Sequence, residues 1–107
     1  MSSIAIPVKI NEEMKPFTFS GPFYHTRPFD RDFGCVYILI NSLNKIVDVG
    51  ETGSINSRII NHERKLCWIQ NGCSEESLYV YTNGNEQLRR SLEKLIRDQY
   101  GPVCGER

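Results

Sequence analysis

Residues 35–50 read Cys35-Val36-Tyr37-Ile38-Leu39-Ile40-Asn41-Ser42-Leu43-Asn44-Lys45-Ile46-Val47-Asp48-Val49-Gly50, and this stretch decides the fold. From Val36 to Ile40 every residue is β-branched, aromatic or Leu, a short apolar run that suits a buried strand. Asn41, Ser42 and Asn44 are turn formers, and Ile46 to Val49 give a second strand that Gly50 ends. The two strands read as a hairpin. With Ile40 opposite Lys45, side-chain alternation places Tyr37 and Asp48 on one face of the sheet, and a one-residue slip would separate them.

Downstream, Glu51-Thr52-Gly53-Ser54 is a turn that offers Thr52 or Ser54 as a helix N-cap. Ile55, Ile59 and Leu66 then recur at helical spacing, which predicts a helix from about Ile55 to Trp68 with Arg58 and His62 projecting from one face. Asn71-Gly72 breaks the chain, Leu78-Tyr79-Val80-Tyr81-Thr82 favours a third strand, and Asn83 with Glu86 forms a capping box. Leu88, Leu92, Leu95, Ile96 and Gln99 describe one face of a helix from about Asn85 to Tyr100, stopped by Gly101-Pro102. The expected fold is α/β: a small, mixed three-stranded sheet flanked by helices.

Upstream, residues 1–33 read as an irregular N-terminal arm. The apolar start Ile4 to Ile10 is broken by Pro7. Pro16, Pro22 and Pro28 remove donors, while Phe17, Phe19, Phe23, Phe29 and Phe33 need cover. Packing on the core of a domain spanning 34–107 is the plain expectation. A sharper one makes the arm, with His25 and Arg27, a lip over a substrate groove or a dimer contact. A chain of 107 residues supports one modest core and not two.

Thirteen basic side chains balance thirteen acidic ones, so no global field draws the chain to a polyanion, and phosphate recognition must be local. Local clusters exist at Arg58, His62, Arg64 and Lys65, and at Arg89, Arg90, Lys94 and Arg97. No apolar run approaches membrane-spanning length and the start lacks a secretory pattern, which makes cytoplasmic the expected location. The four cysteines show no paired short spacing and are expected as buried free thiols. A zinc site from Cys67, Cys73, Cys104 and His62 has no recognised ligand spacing.

At Val36-Tyr37 followed by the hairpin, then Val49-Gly50-Glu51-Thr52, Arg58 and His62, the sequence resembles the GIY-YIG endonuclease family, as found in repair incision subunits and homing endonucleases. Relative to Gly50, Arg58 sits where the family arginine is expected and His62 falls four residues later. Glu93 precedes Tyr100-Gly101-Pro102 as the family's metal-binding glutamate does. The resemblance covers about residues 34–104. It departs from the family at Cys35, in place of the first glycine, at Asp48, in place of the second motif's tyrosine, and at Gly105, in place of the closing asparagine.

The resemblance implies metal-dependent hydrolysis of DNA phosphodiesters. Tyr37 would take a proton from the attacking water or orient it, Arg58 would clamp the phosphate, and Glu93 would bind Mg2+ or Mn2+, with His62 and Asp48 assisting. The residue types fit those roles: a guanidinium offers a planar fork to phosphate oxygens, and Mg2+ prefers carboxylate and water oxygens. Each also has a plain reading: a core tyrosine, a solvated arginine paired with Glu51 or Glu63, an i,i+4 partner of Arg89 or Arg97, and a surface histidine. Asp48 would bind a second ion, accept from Tyr37, or mark inactivation. The rival is a catalytically weak nucleic-acid-binding module of the same fold. The expected partner is DNA, branched or duplex, with no membrane, and a homodimer is left open. Tyr79 and Tyr81 are unassigned.

Overall fold

The computed structural model describes residues 2–105 of the chain. Its elements are β1 (Ser3–Ile10), β2 (Glu13–Tyr24), β3 (Cys35–Ile40), β4 (Ile46–Thr52), α1 (Ile55–Ile59), α2 (Lys65–Gln70), β5 (Glu76–Thr82) and α3 (Glu86–Tyr100). The class is α/β, but the sheet has five strands in the order β1-β2-β5-β3-β4, and every pairing is antiparallel. The expected mixed sheet of three strands is therefore corrected to an antiparallel sheet of five.

The two additional strands come from the segment expected to be an irregular arm. Ile4, Ile6, Val8 and Ile10 alternate, and β1 turns back into β2 through Asn11 and Glu12, both in the left-handed region with φ of 52° and 68°. That pair of positive φ values is the hairpin turn matched to strand twist. Pro7 pairs with Pro16 across the two strands, and the Pro7 and Lys9 carbonyls both point away from β2. Neither proline therefore removes a bond from the ladder between them, which is how an edge hairpin tolerates both. Pro22 falls in the bulge between Ser20 and Phe23, where β2 joins β5. Within the segment read as an arm, irregular chain is confined to 25–33, beyond the hairpin turn at Asn11 and Glu12.

Strand β3 is buried along its whole length and divides two cores. Cys35, Tyr37 and Leu39 face Ile55, Ile59 and Trp68 of the α1–α2 layer, while Val36 and Ile38 face Leu92 and Ile96 of α3 together with Val8 and Phe19. In the β3–β4 hairpin Tyr37 pairs with Gly50 and Leu39 with Asp48, and a bulge precedes the Ile40–Ile46 pair. The expected pairing of Ile40 with Lys45 is thus displaced. Because Tyr37 moves two residues along its partner, from Asp48 to Gly50, the shared face of Tyr37 and Asp48 survives.

The expected helix 55–68 is two short helices with a break at 60–64. Ser54 is its N-cap and accepts from the Ser57 amide. Leu66, placed on the buried stripe by its spacing, is exposed, while Trp68 is fully buried. In α3 the N-cap is Asn85, whose Oδ1 accepts from the Leu88 amide, not Asn83. Leu88 is exposed, and Gly101, with φ of 56°, closes the helix. Cys67 and Cys104 form a disulfide, against the expectation of four free thiols, while Cys35 and Cys73 are free and buried. The pair is 37 residues apart in sequence, and sequence spacing carries no sign that α2 and the segment after α3 meet at the β4 edge. No helix among the described residues is long and apolar enough to cross a membrane.

Candidate active site

Strand β4 is an edge strand, so groups from the α1 layer and the α3 layer can meet around it. They do so in a groove of about 260 Å3 lined by Tyr37, Val49, Gly50, Glu51, Arg58, Arg64, Glu93 and Arg97. Tyr37 lies directly across from Gly50, and a Cβ at Gly50 would overlap the Tyr37 ring and hydroxyl. The glycine is required by this close approach, since its φ is not in the left-handed region.

Tyr37 is almost fully buried, and its hydroxyl lies 2.8 Å from His62 Nε2. The neighbouring bond fixes the direction of that contact. The Arg64 backbone amide donates to His62 Nδ1 at 3.1 Å, so the neutral ring carries its hydrogen on Nε2 and donates it to the Tyr37 oxygen. Burial lowers the His62 pKa to about 4, reinforced by Arg58 and Arg64, which keeps the ring neutral near pH 7. Burial also pushes the Tyr37 phenol up to about 12, against the opposing pull of Arg58 and Arg64. His62 stands behind Tyr37, in the break between α1 and α2, so it does not share a helical face with Arg58 as the spacing predicted.

Arg58, at the end of α1, reaches the groove already paired. Its Nη1 and Nη2 donate to the two carboxylate oxygens of Glu63 at 2.7 and 3.0 Å. Glu93 lines the groove from α3, with one oxygen accepting from Arg97 Nε at 3.2 Å. Glu51 also lines it, held by Arg89 and Arg90.

Asp48 sits below the groove, fully buried, with its oxygens consumed. It accepts from its neighbour's amide at Val49, from Arg64 Nε at 2.7 Å, from Trp68 Nε1 at 2.7 Å and from Arg97 Nη2 at 3.2 Å. Arg97 also donates to the Val49 and Cys104 carbonyls. Gly105 packs here, where a Cβ would collide with the Arg97 guanidinium and crowd Asp48. Asp48 therefore anchors Arg64 and Arg97. The expectation that it binds an ion or accepts from Tyr37 is corrected, because its lone pairs are taken.

His25 and Arg27 do not form a lip. His25 is buried edge-on to Trp68 with neither ring nitrogen hydrogen-bonded, and Arg27 lies 4.0 Å over the Tyr24 ring. Sequence reasoning passed over Glu51, Glu63, Arg64 and Arg97 as site residues. Arg64 and Arg97 did fall in the two basic clusters, which was the available signal.

The donor set bears on the expected metal. Among the described residues no three His, Cys, Asp or Glu side chains come together to hold an ion. Mg2+ characteristically keeps several waters and takes one or two carboxylates plus substrate phosphate. Glu93, only one of whose oxygens Arg97 engages, suits that kind of site; Glu51 beside it is already held through both oxygens by Arg89 and Arg90, and a closed protein cage is not built here. A larger groove, about 950 Å3, lies at the far end of β4 between β1, the β3–β4 turn and Tyr100, but Lys45 and Tyr100 are its only titratable lining groups. Chemistry favours the smaller one. No protein-family profile, curated protein or solved structure matches this chain.

Proposed function

We propose that this groove binds a DNA phosphodiester and that the chain is a metal-dependent endonuclease of the GIY-YIG type. The observation that supports this reading best is that Tyr37, Arg58 and Glu93, from three separate elements, line one groove with Arg64 and Arg97 beside them. Phosphodiester hydrolysis develops negative charge on the phosphoryl oxygens, so cations fixed in advance around that position lower the barrier. Arg58 and Arg64 supply them. Glu93, with Glu51 near, would hold Mg2+ or Mn2+, which when bound polarises a phosphoryl oxygen. Tyr37 aims its own hydrogen away from His62, because its oxygen already accepts from Nε2, and in that state it orients water or a phosphate oxygen.

A specific observation favours the rival. A phenol raised to about 12 is a poor base at neutral pH, and Arg58 is already engaged by Glu63. Those features suit a binding module with slow or no turnover. The cytoplasmic location stays part of the proposal, but the Cys67–Cys104 bond counts against it, since disulfides are rare in reducing compartments.

The test is nicking of supercoiled plasmid and branched DNA with Mg2+ or Mn2+. Wild type is expected to cleave, and Glu93→Ala and Arg58→Ala each to lose about 100-fold or more in rate. Folded wild type that binds DNA with steep salt dependence but cleaves nothing identifies the binding module. Binding indifferent to salt removes the phosphodiester reading altogether.

A further inference from the structure

Two of the arginines that line this groove already hold an anion from the chain itself. Glu63 Oε1 accepts from Arg58 Nη1 at 2.7 Å, and Oε2 accepts from Arg58 Nη2 at 3.0 Å and lies 3.4 Å from Arg64 Nη1. Two parallel bonds from one guanidinium, with a second guanidinium alongside, is the arrangement in which arginines grip two oxygens of a phosphate. Both arginines line the groove that holds Tyr37 and Glu93.

We propose that Glu63 is a tethered occupant of the phosphate seat, displaced by the substrate phosphodiester, and that it sets the affinity the substrate must exceed. This rests on the phosphodiester reading above. Three features support displacement rather than permanent closure. Glu63 belongs to the non-helical connection between α1 and α2, so its rotation breaks no helix. Its side chain is 61% exposed, against 33% for Arg58 and 23% for Arg64, so the carboxylate is the partner with room to swing out into solvent. Arg64 stays anchored through Asp48 when Glu63 leaves, which preserves half of the seat. The hydrogen bonds from Arg58 hold the Glu63 carboxyl down to about 2, so it is a charged competitor throughout the neutral range.

An exposed carboxylate–arginine pair is a weak restraint, so its removal is expected to tighten substrate binding about two- to five-fold. Removing any negative charge near a polyanion also favours binding, and a double-mutant cycle separates the two causes. Binding of a short fluorescent DNA duplex in metal-free buffer is measured for wild type, Glu63→Gln, Arg58→Ala and the double variant, with thermal melting as the folding control. The expected result is a two- to five-fold gain from Glu63→Gln that shrinks below about 1.5-fold when Arg58 is Ala. An equal gain in both backgrounds, or no gain in either, overturns the proposal while leaving the phosphodiester reading standing. Failure of wild type to bind with salt dependence overturns both.

Discussion

Tyr37 and His62 share a hydrogen bond whose direction is set from outside the pair, by the amide of Arg64. The burial of His62 in that pair, beside the Arg58 and Arg64 charges, also affects stability. The folded chain favours neutral His62, with a pKa near 4 against 6.5 for a free ring, so the unfolded chain binds more protons between those values. Stability is therefore full above about pH 6.5 and declines as pH falls toward 4. Urea midpoints across this range are expected to drop, and His62→Gln to flatten part of the drop. The remainder is shared by His25, whose pKa burial also lowers, and, at the acid end of the range, by Glu63 and Asp32, whose carboxyls hydrogen bonds hold below their ordinary values. At this scale the sequence picked out candidate side chains, of which Tyr37, Arg58 and Glu93 line one groove, but did not show which way they turn. Spacing located Tyr37, Arg58, His62 and Glu93 relative to Gly50. It could not show that Asp48, two residues before that glycine, points beneath the groove to be closed in by Arg64, Trp68 and Arg97.

Among the elements, α3 and the β3–β4 hairpin were legible because each carries a long or unbroken apolar pattern with a clear stop. The helix of 55–68 was not, for a local reason: the chain leaves helical geometry so that His62 can turn inward, and its Nδ1 then takes the Arg64 amide in place of a helical carbonyl. The β1–β2 hairpin was missed because its prolines weighed more than the alternation of Ile4, Ile6, Val8 and Ile10. Prolines oppose a central strand, but they are tolerated where their nitrogen faces away from the neighbouring ladder. This hairpin supplies Val8 and Phe19 to the core beneath α3, so it is expected to unfold with the rest. Phe19→Ala is expected to cost about 3–5 kcal/mol in a single urea transition that fluorescence and circular dichroism report alike. A loss below about 1 kcal/mol, or two separated transitions, would instead show an appended arm.

The whole molecule is three layers closed at the β4 edge, where α2, the segment after α3 and the Asp48 cluster converge. The Cys67–Cys104 bond ties that corner, and closing a loop of this length is expected to add about 3–4 kcal/mol by restricting the unfolded chain. Cys67→Ser with Cys104→Ser, or a reducing agent on wild type, should lower the melting temperature by matching amounts. Unchanged melting would mean that packing alone holds the corner. The two borders of the sheet are finished differently from its interior. Along β4, Arg97 caps the Val49 carbonyl, and the Cys104 amide caps that of Val47. Along β1, the Gln99 side chain satisfies both the amide and the carbonyl of Lys9, Tyr100 takes the Pro7 carbonyl, and Pro7 itself has no hydrogen to offer. A stray strand from another chain thus finds much of either border already answered, so a long and strongly apolar sheet is a poor template for aggregation.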